Sequence, residues 1–167
     1  MRGDDRSFRS RAARGAVIVT SFVLIPAIGA AVAGAASRQF DAASIVSLVV
    51  LAGGIIWLLM SVSRAAAFID CSMERVKVGL WPVWKTTLAP AEIADVDLVR
   101  INAYEEYRGW GVKGSARGAR GRLYSVGGSA SVKLTTVDGR IFVVSFVEAE
   151  VAAEAAEALK NVVPDAQ

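Results

Sequence analysis

The stretch from Tyr107 to Gly128, YRGWGVKGSARGARGRLYSVGG, holds the residue types that handle phosphate. Gly109, Gly111 and Gly114 spell G-x-G-x-x-G, with Lys113 inside the motif and Arg117, Arg120 and Arg122 after it. Such glycines cradle a pyrophosphate only when a strand precedes them, a helix opens within them and an acid follows about twenty residues later. Here Gly118 and Gly121 follow at once, which makes a helix costly, and no βαβ pattern comes after. No Gly-Lys-Ser/Thr is present for a P-loop, and the chain lacks the other motifs of a kinase. The glycines are therefore expected to serve backbone turns. Lys113, Arg117, Arg120, Arg122 and Trp110 are the candidate contacts for a partner or an anionic headgroup, with an ordinary solvated loop as the other reading.

Other chemistry is sparse. The chain has no histidine, the commonest general base and metal ligand. It has no H-E-x-x-H, C-x-x-C or G-x-S-x-G motif. Its one cysteine, Cys71, lies in a strand-like run and is expected to be packed, in keeping with a reducing compartment. Glu105 and Glu106 are adjacent, so on a strand they point to opposite faces and cannot share a site. The expectation is no catalytic, cofactor-binding or metal-binding residue, no small-molecule substrate and no enzyme.

The elements that carry these residues follow from hydropathy and charge. The 167 residues are 54% hydrophobic, with a mean hydropathy of +0.44. Residues 15–37 and 42–63 carry no charge and are joined by Arg38-Gln39-Phe40-Asp41. As helices, each reaches about 33 Å, enough to cross a bilayer core. The expectation is a hairpin of two transmembrane helices, with a cleaved signal peptide over the first as the alternative. The net charge of +3 sits in residues 1–14, where Arg2, Arg6, Arg9, Arg11 and Arg14 face only Asp4 and Asp5. That distribution predicts a basic cytoplasmic tail, an inner-membrane location and a cytoplasmic C-terminal part. From Arg64 onward acids and bases balance, which argues against a nucleic-acid partner.

After Ala65 the pattern alternates as strands do. Strands are expected over Ser72–Leu80, Lys85–Ile93, Asp95–Tyr107, Arg122–Val126, Ala130–Val137 and Ile141–Phe146. Trp81-Pro82-Val83-Trp84 reads as a turn, and Asp138-Gly139 as a two-residue hairpin turn. Glu148 to Asn161 reads as an amphipathic helix that Pro164 stops, with Val151, Ala155, Leu159 and Val162 on one stripe. Trp81, Trp84 and Trp110 are expected to fill the core, with interfacial anchoring as their other use.

The loop Gly109-Trp110-Gly111-Val112-Lys113, the strand Leu123 to Gly128, the alternation from Ser131 to Thr136, the Asp138-Gly139 turn and the helix ending Ala158-Leu159 together resemble bacterial pleckstrin-homology-like domains on small two-span membrane proteins. The resemblance covers about Arg64 to Val163. It implies a membrane helical hairpin followed by a mainly-β domain over residues 64–164, a curled antiparallel sheet or PH-like barrel capped by the C-terminal helix. It carries over no catalytic residue. The expected function is a non-enzymatic interaction or scaffold module, partnered by the lipid bilayer and by a membrane-associated protein or itself. The alternative is recognition of anionic headgroups by the basic loop 109–122.

Overall fold

The computed structural model describes residues 6–11, 29, 46–47, 49–54, 56–57 and 64–163. The chain divides into two units, Met1–Ala12 with Ala65–Gln167, and Ala13–Arg64. In the second unit the described residues between 46 and 57 are helical, and Val46, Val49, Val50, Leu51, Ile56 and Trp57 are exposed.

In the first unit the polar hexapeptide RSFRSR forms strand β1, Arg6–Arg11, at the edge of a four-stranded sheet. It is followed in that sheet by β2 (Ala66–Cys71), β3 (Val76–Trp81) and β4 (Trp84–Leu88), in the order β1-β2-β3-β4. Arg11 lies opposite Ala66 at one end of the β1–β2 ladder. Arg6–Arg11 is thus an ordered strand, where the sequence alone suggests a tail. Alternation makes the inner row of this sheet: Ala67, Ile69, Cys71, Val76, Val78, Leu80 and Leu88 are all buried.

The second sheet contains β5 (Ile93–Arg100), β6 (Gly111–Lys113), β7 (Arg122–Ser125), β8 (Ala130–Thr136) and β9 (Ile141–Phe146), in the order β5-β8-β9-β7-β6. Strand β9 pairs antiparallel with β8 and parallel with β7. Helix α1 (Ala103–Tyr107) lies between β5 and β6, and α2 (Ala149–Val162) ends the fold. The segment Asp95–Tyr107 is therefore a strand followed by a helical turn rather than one strand.

The inner faces of both sheets and the stripe Ala152, Ala155, Ala156 and Leu159 of α2 share one core. Tyr124 of β7 is fully buried, and its hydroxyl bonds Thr86 Oγ1 of β4 at 2.8 Å, tying sheet to sheet. Near the start of α2, Val147 N–H donates to Ser10 Oγ of β1 at 2.9 Å. A second, smaller cluster lies on the other face of the five-stranded sheet, where Ile101, Ala103, Leu123 and Val143 pack under α1.

These observations correct several expectations. Among the described residues no helix is long and apolar enough to cross a membrane. The two-span hairpin, the multi-pass inner-membrane location and the resemblance to a two-span membrane protein are overturned on that finding. An uncharged run supplies the length of a span, but hydropathy alone does not establish a helix. Most of residues 15–63, and with them the signal-peptide alternative, lie outside the described residues. The curled PH-like barrel is corrected as well. Among the described residues neither sheet closes on itself: β1 and β4 are the edges of one, β5 and β6 of the other. The motifs behind the resemblance are turn and strand chemistry, which two separate sheets satisfy as readily as one curled sheet.

Candidate functional site

The glycine-rich segment is held between α1 and β9. Asn102 starts α1: its Oδ1 accepts from the N–H groups of Tyr104 (3.2 Å) and Glu105 (3.4 Å). Glu106 Oε1 reaches back to Asn102 N–H at 2.7 Å, satisfying a further donor of the first turn. Glu105 and Glu106 therefore stand on a capped helix, and Glu106 is used in the cap. The helix stops where Arg108 enters the left-handed region at φ 60°. Arg108 N–H then donates to Tyr104 O and Gly109 N–H to Ala103 O, closing the turn. The G-x-G-x-x-G motif thus runs from a helix into a strand, the reverse of a nucleotide-binding turn.

Beyond β6 the loop is built from consecutive tight turns. Gly118 N–H donates to Ser115 O and Gly121 N–H to Gly118 O, each at 2.9 Å. Ile141 N–H of β9 donates to Ala116 O at 2.7 Å. At Gly114 a Cβ would stand 2.5 Å from the Gly121 carbonyl oxygen, and at Gly121 one would stand 2.5 Å from Ile141 Cγ2. Both glycines also have positive φ, 73° and 76°. Space and conformation together require glycine there.

The candidate cations are used unequally. Arg120 donates from Nη1 to the Glu106 carbonyl, and the Tyr107 hydroxyl donates to the Arg120 carbonyl. Burial first, and then Glu106, raise the Tyr107 phenol above its ordinary value, with Arg120 opposing. The phenol therefore stays protonated and remains a donor. Arg122 stacks its guanidinium 5.4 Å from the centre of the Trp84 ring. Lys113 and Arg117 are exposed, and their side chains make no hydrogen bond or ion pair among the described residues. So two of the four cations brace the fold, and two stand in solvent. A cavity of about 350 Å³ lies between α1 and the loop, with Tyr107, Arg108, Ser115 and Arg120 in its lining.

Trp110 is exposed and meets Tyr104 edge to face, ring centres 5.3 Å apart. Tyr104 was invisible to motif reading; an aromatic in a short capped helix next to an aromatic beyond the helix end is the signal that finds it. The expectation of core filling is corrected for all three tryptophans named above. Trp81 is 59%, Trp84 47% and Trp110 50% exposed, and Trp57 is exposed too, at 69%. Trp81, Val83 and Trp84 surround the β3–β4 turn, where the Trp81–Pro82 peptide is cis. The core is filled instead by Tyr124, Phe142, Phe146 and aliphatic residues.

Cys71, Ser125 and Ser145 are spent inside the fold. Cys71 is buried, and burial followed by the Asp70 charge pushes its thiol up to about 12, so no thiolate forms near neutral pH. Ser145 Oγ donates to Ser125 Oγ at 2.5 Å, and Gly127 N–H donates to Ser125 Oγ at 3.2 Å. These buried serines hold neighbouring strands and a turn together. Among the described residues no three metal-ligating side chains gather. Compared with known proteins, the chain matches no family model, no curated protein and no solved structure.

Proposed function

We propose that this protein is a non-catalytic interaction module that docks a partner protein through the face formed by α1 and the glycine-rich loop. One observation carries the reading: all four tryptophans lie at the surface, while smaller apolar residues fill the core. A tryptophan left in water forgoes a large burial, and exposed aromatics are the usual anchors of protein interfaces. On the α1 face the edge-to-face pair Tyr104–Trp110 stands on a capped helix and a braced loop, so little side-chain order is lost on binding. Lys113 in β6 and Arg117 in the loop after it are exposed and supply steering charges.

The test is affinity capture with the full chain from an extract of its source cell, comparing the native protein with Trp110→Ala and Tyr104→Ala. A stoichiometric partner kept by the native protein and lost by both variants is expected. Equal capture by all three removes the α1 face from the reading.

Recognition of anionic headgroups is the second reading, supported by the exposure of Lys113 and Arg117. With Arg120 and Arg122 engaged in the fold, two of the four cations remain for it. Flotation with anionic and with neutral vesicles separates the readings: binding only to anionic vesicles, lost in Lys113→Glu/Arg117→Glu, favours the headgroup, and equal flotation eliminates it.

A further inference from the structure

Strand β1 is a sheet edge with a groove beside it. Among the described residues it pairs with β2 alone, from Arg6 opposite Cys71 to Arg11 opposite Ala66. Every second residue therefore turns its backbone N–H and C=O away from β2, towards a side on which no other described strand pairs. Helix α2 packs against β1. The two elements are tied together at one end, where Val147 N–H reaches Ser10 Oγ. Residues 6–8 and the C-terminal half of α2 line a groove of about 330 Å³. Arg6, Ser7 and Phe8 form one wall, and Glu154, Glu157, Ala158 and Asn161 the other.

The lining specifies an occupant. Phe8 packs on the main core and supplies an apolar floor with Ala158. Glu154 and Glu157 share this lining with Arg6 and leave the groove net negative; the two carboxylates make no ion pair among the described residues, whereas Asp97, Asp138 and Glu92 do. Three residues of strand cover about 10 Å, and the helix from Glu154 to Asn161 covers about the same. An extended segment of three or four residues matches both lengths. In a strand added to β1, side chains alternate. Those beside Phe8 meet the apolar floor and the two carboxylates. Those on the opposite face meet Ser7 and Arg9.

We propose that the groove between β1 and α2 receives an extended peptide of a partner protein as a fifth strand on the open edge of the four-stranded sheet, with a lysine or arginine held by Glu154 and Glu157. This rests on the interaction reading and adds a second surface and a class of ligand to it. Main-chain hydrogen bonds to β1 supply affinity, and the carboxylates supply selectivity for a basic residue facing α2.

The probe is an N-acetylated, C-amidated hexapeptide of alternating valine and lysine, set against the same peptide with glutamate for lysine. Each is added to the full chain, and backbone hydrogen exchange is followed. The lysine peptide is expected to slow exchange at residues 6–8, and the glutamate peptide to leave it unchanged. Glu154→Gln/Glu157→Gln, exposed positions on α2, is expected to keep the circular dichroism of the native protein and to bind the lysine peptide roughly tenfold more weakly. No protection from either peptide overturns the proposal, as does equal protection from both, or undiminished binding by the double variant. Protection that rises with protein concentration and without peptide assigns the edge to a second copy and also overturns it. Failure here with Trp110-dependent capture intact removes the groove alone; loss of both removes the interaction reading.

Discussion

In the β8–β9 turn, Gly139 sits at φ 80° with open space where a Cβ would go. In the loop before β7, Gly121 has nearly the same φ, 76°, but a Cβ there would strike Ile141. The two turns share a backbone conformation and differ in what surrounds it. The β8–β9 turn is held mainly from within: Gly139 N–H donates to Thr136 O and Arg140 reaches Asp138 at 2.7 Å, while Glu92 alone ties it to the start of β5, and the turn projects into solvent. The glycine-rich loop is a cover: Ala116 accepts from β9, Tyr107 holds Arg120, and Gly114 and Gly121 admit the backbone close to the sheet. One type of residue thus marks a corner in one place and a contact surface in the other.

The largest expected effect separates these uses. Gly121→Ala adds overpacking to backbone strain and should lower unfolding stability by about 3 kcal/mol, read by urea denaturation. Tyr107→Phe removes the hydroxyl that holds the loop to α1 and should cost about 1–2 kcal/mol. Gly139→Ala meets no atoms and should cost only about 1 kcal/mol of strain. Equal losses at Gly121 and Gly139 would mean that conformation alone matters and would erase the distinction.

The smallest effect concerns pH. The Thr136 hydroxyl and Arg140 hold the Asp138 carboxyl at about 2, below its ordinary 3.8. Because the folded value is depressed, the contribution is complete above about pH 4 and fades as pH falls through 2. Asp138→Asn should lower Tm slightly at neutral pH, and its difference from the native protein should close between about pH 4 and pH 2. A difference independent of pH would assign Asp138 to turn shape rather than to charge.

How much was legible follows from the reach of each contact. The β8–β9 hairpin and α2 were readable because alternation, Asp138-Gly139 and the stripe of α2 are local signals. The turn itself has three residues between Thr136 and Arg140, where a two-residue turn was expected, because Thr136 N–H closes on Arg140 O. Strand β1 was not readable: RSFRSR is polar, and its ladder joins residues some sixty positions away. Helix α1 was masked by an alternating sequence, although Asn102 carried a capping signal. Within the candidate loop the glycines' role as turn formers was legible, but the division of the cations was not. Arg120 and Arg122 differ from Lys113 and Arg117 only in what the fold brings beside them, the Glu106 carbonyl and the Trp84 ring.

By itself the sequence determined the local geometry: glycines where φ must be positive, alternation where strands form, and an apolar stripe on the last helix, all set by backbone sterics and solvent within a few residues. Only the tertiary structure decided which strands became edges, why the tryptophans stand outside while Tyr124 is buried, and that β1 lies beside α2 with a groove between them. Those depend on packing between segments distant in the chain, where the local sequence places no constraint on its neighbours in space.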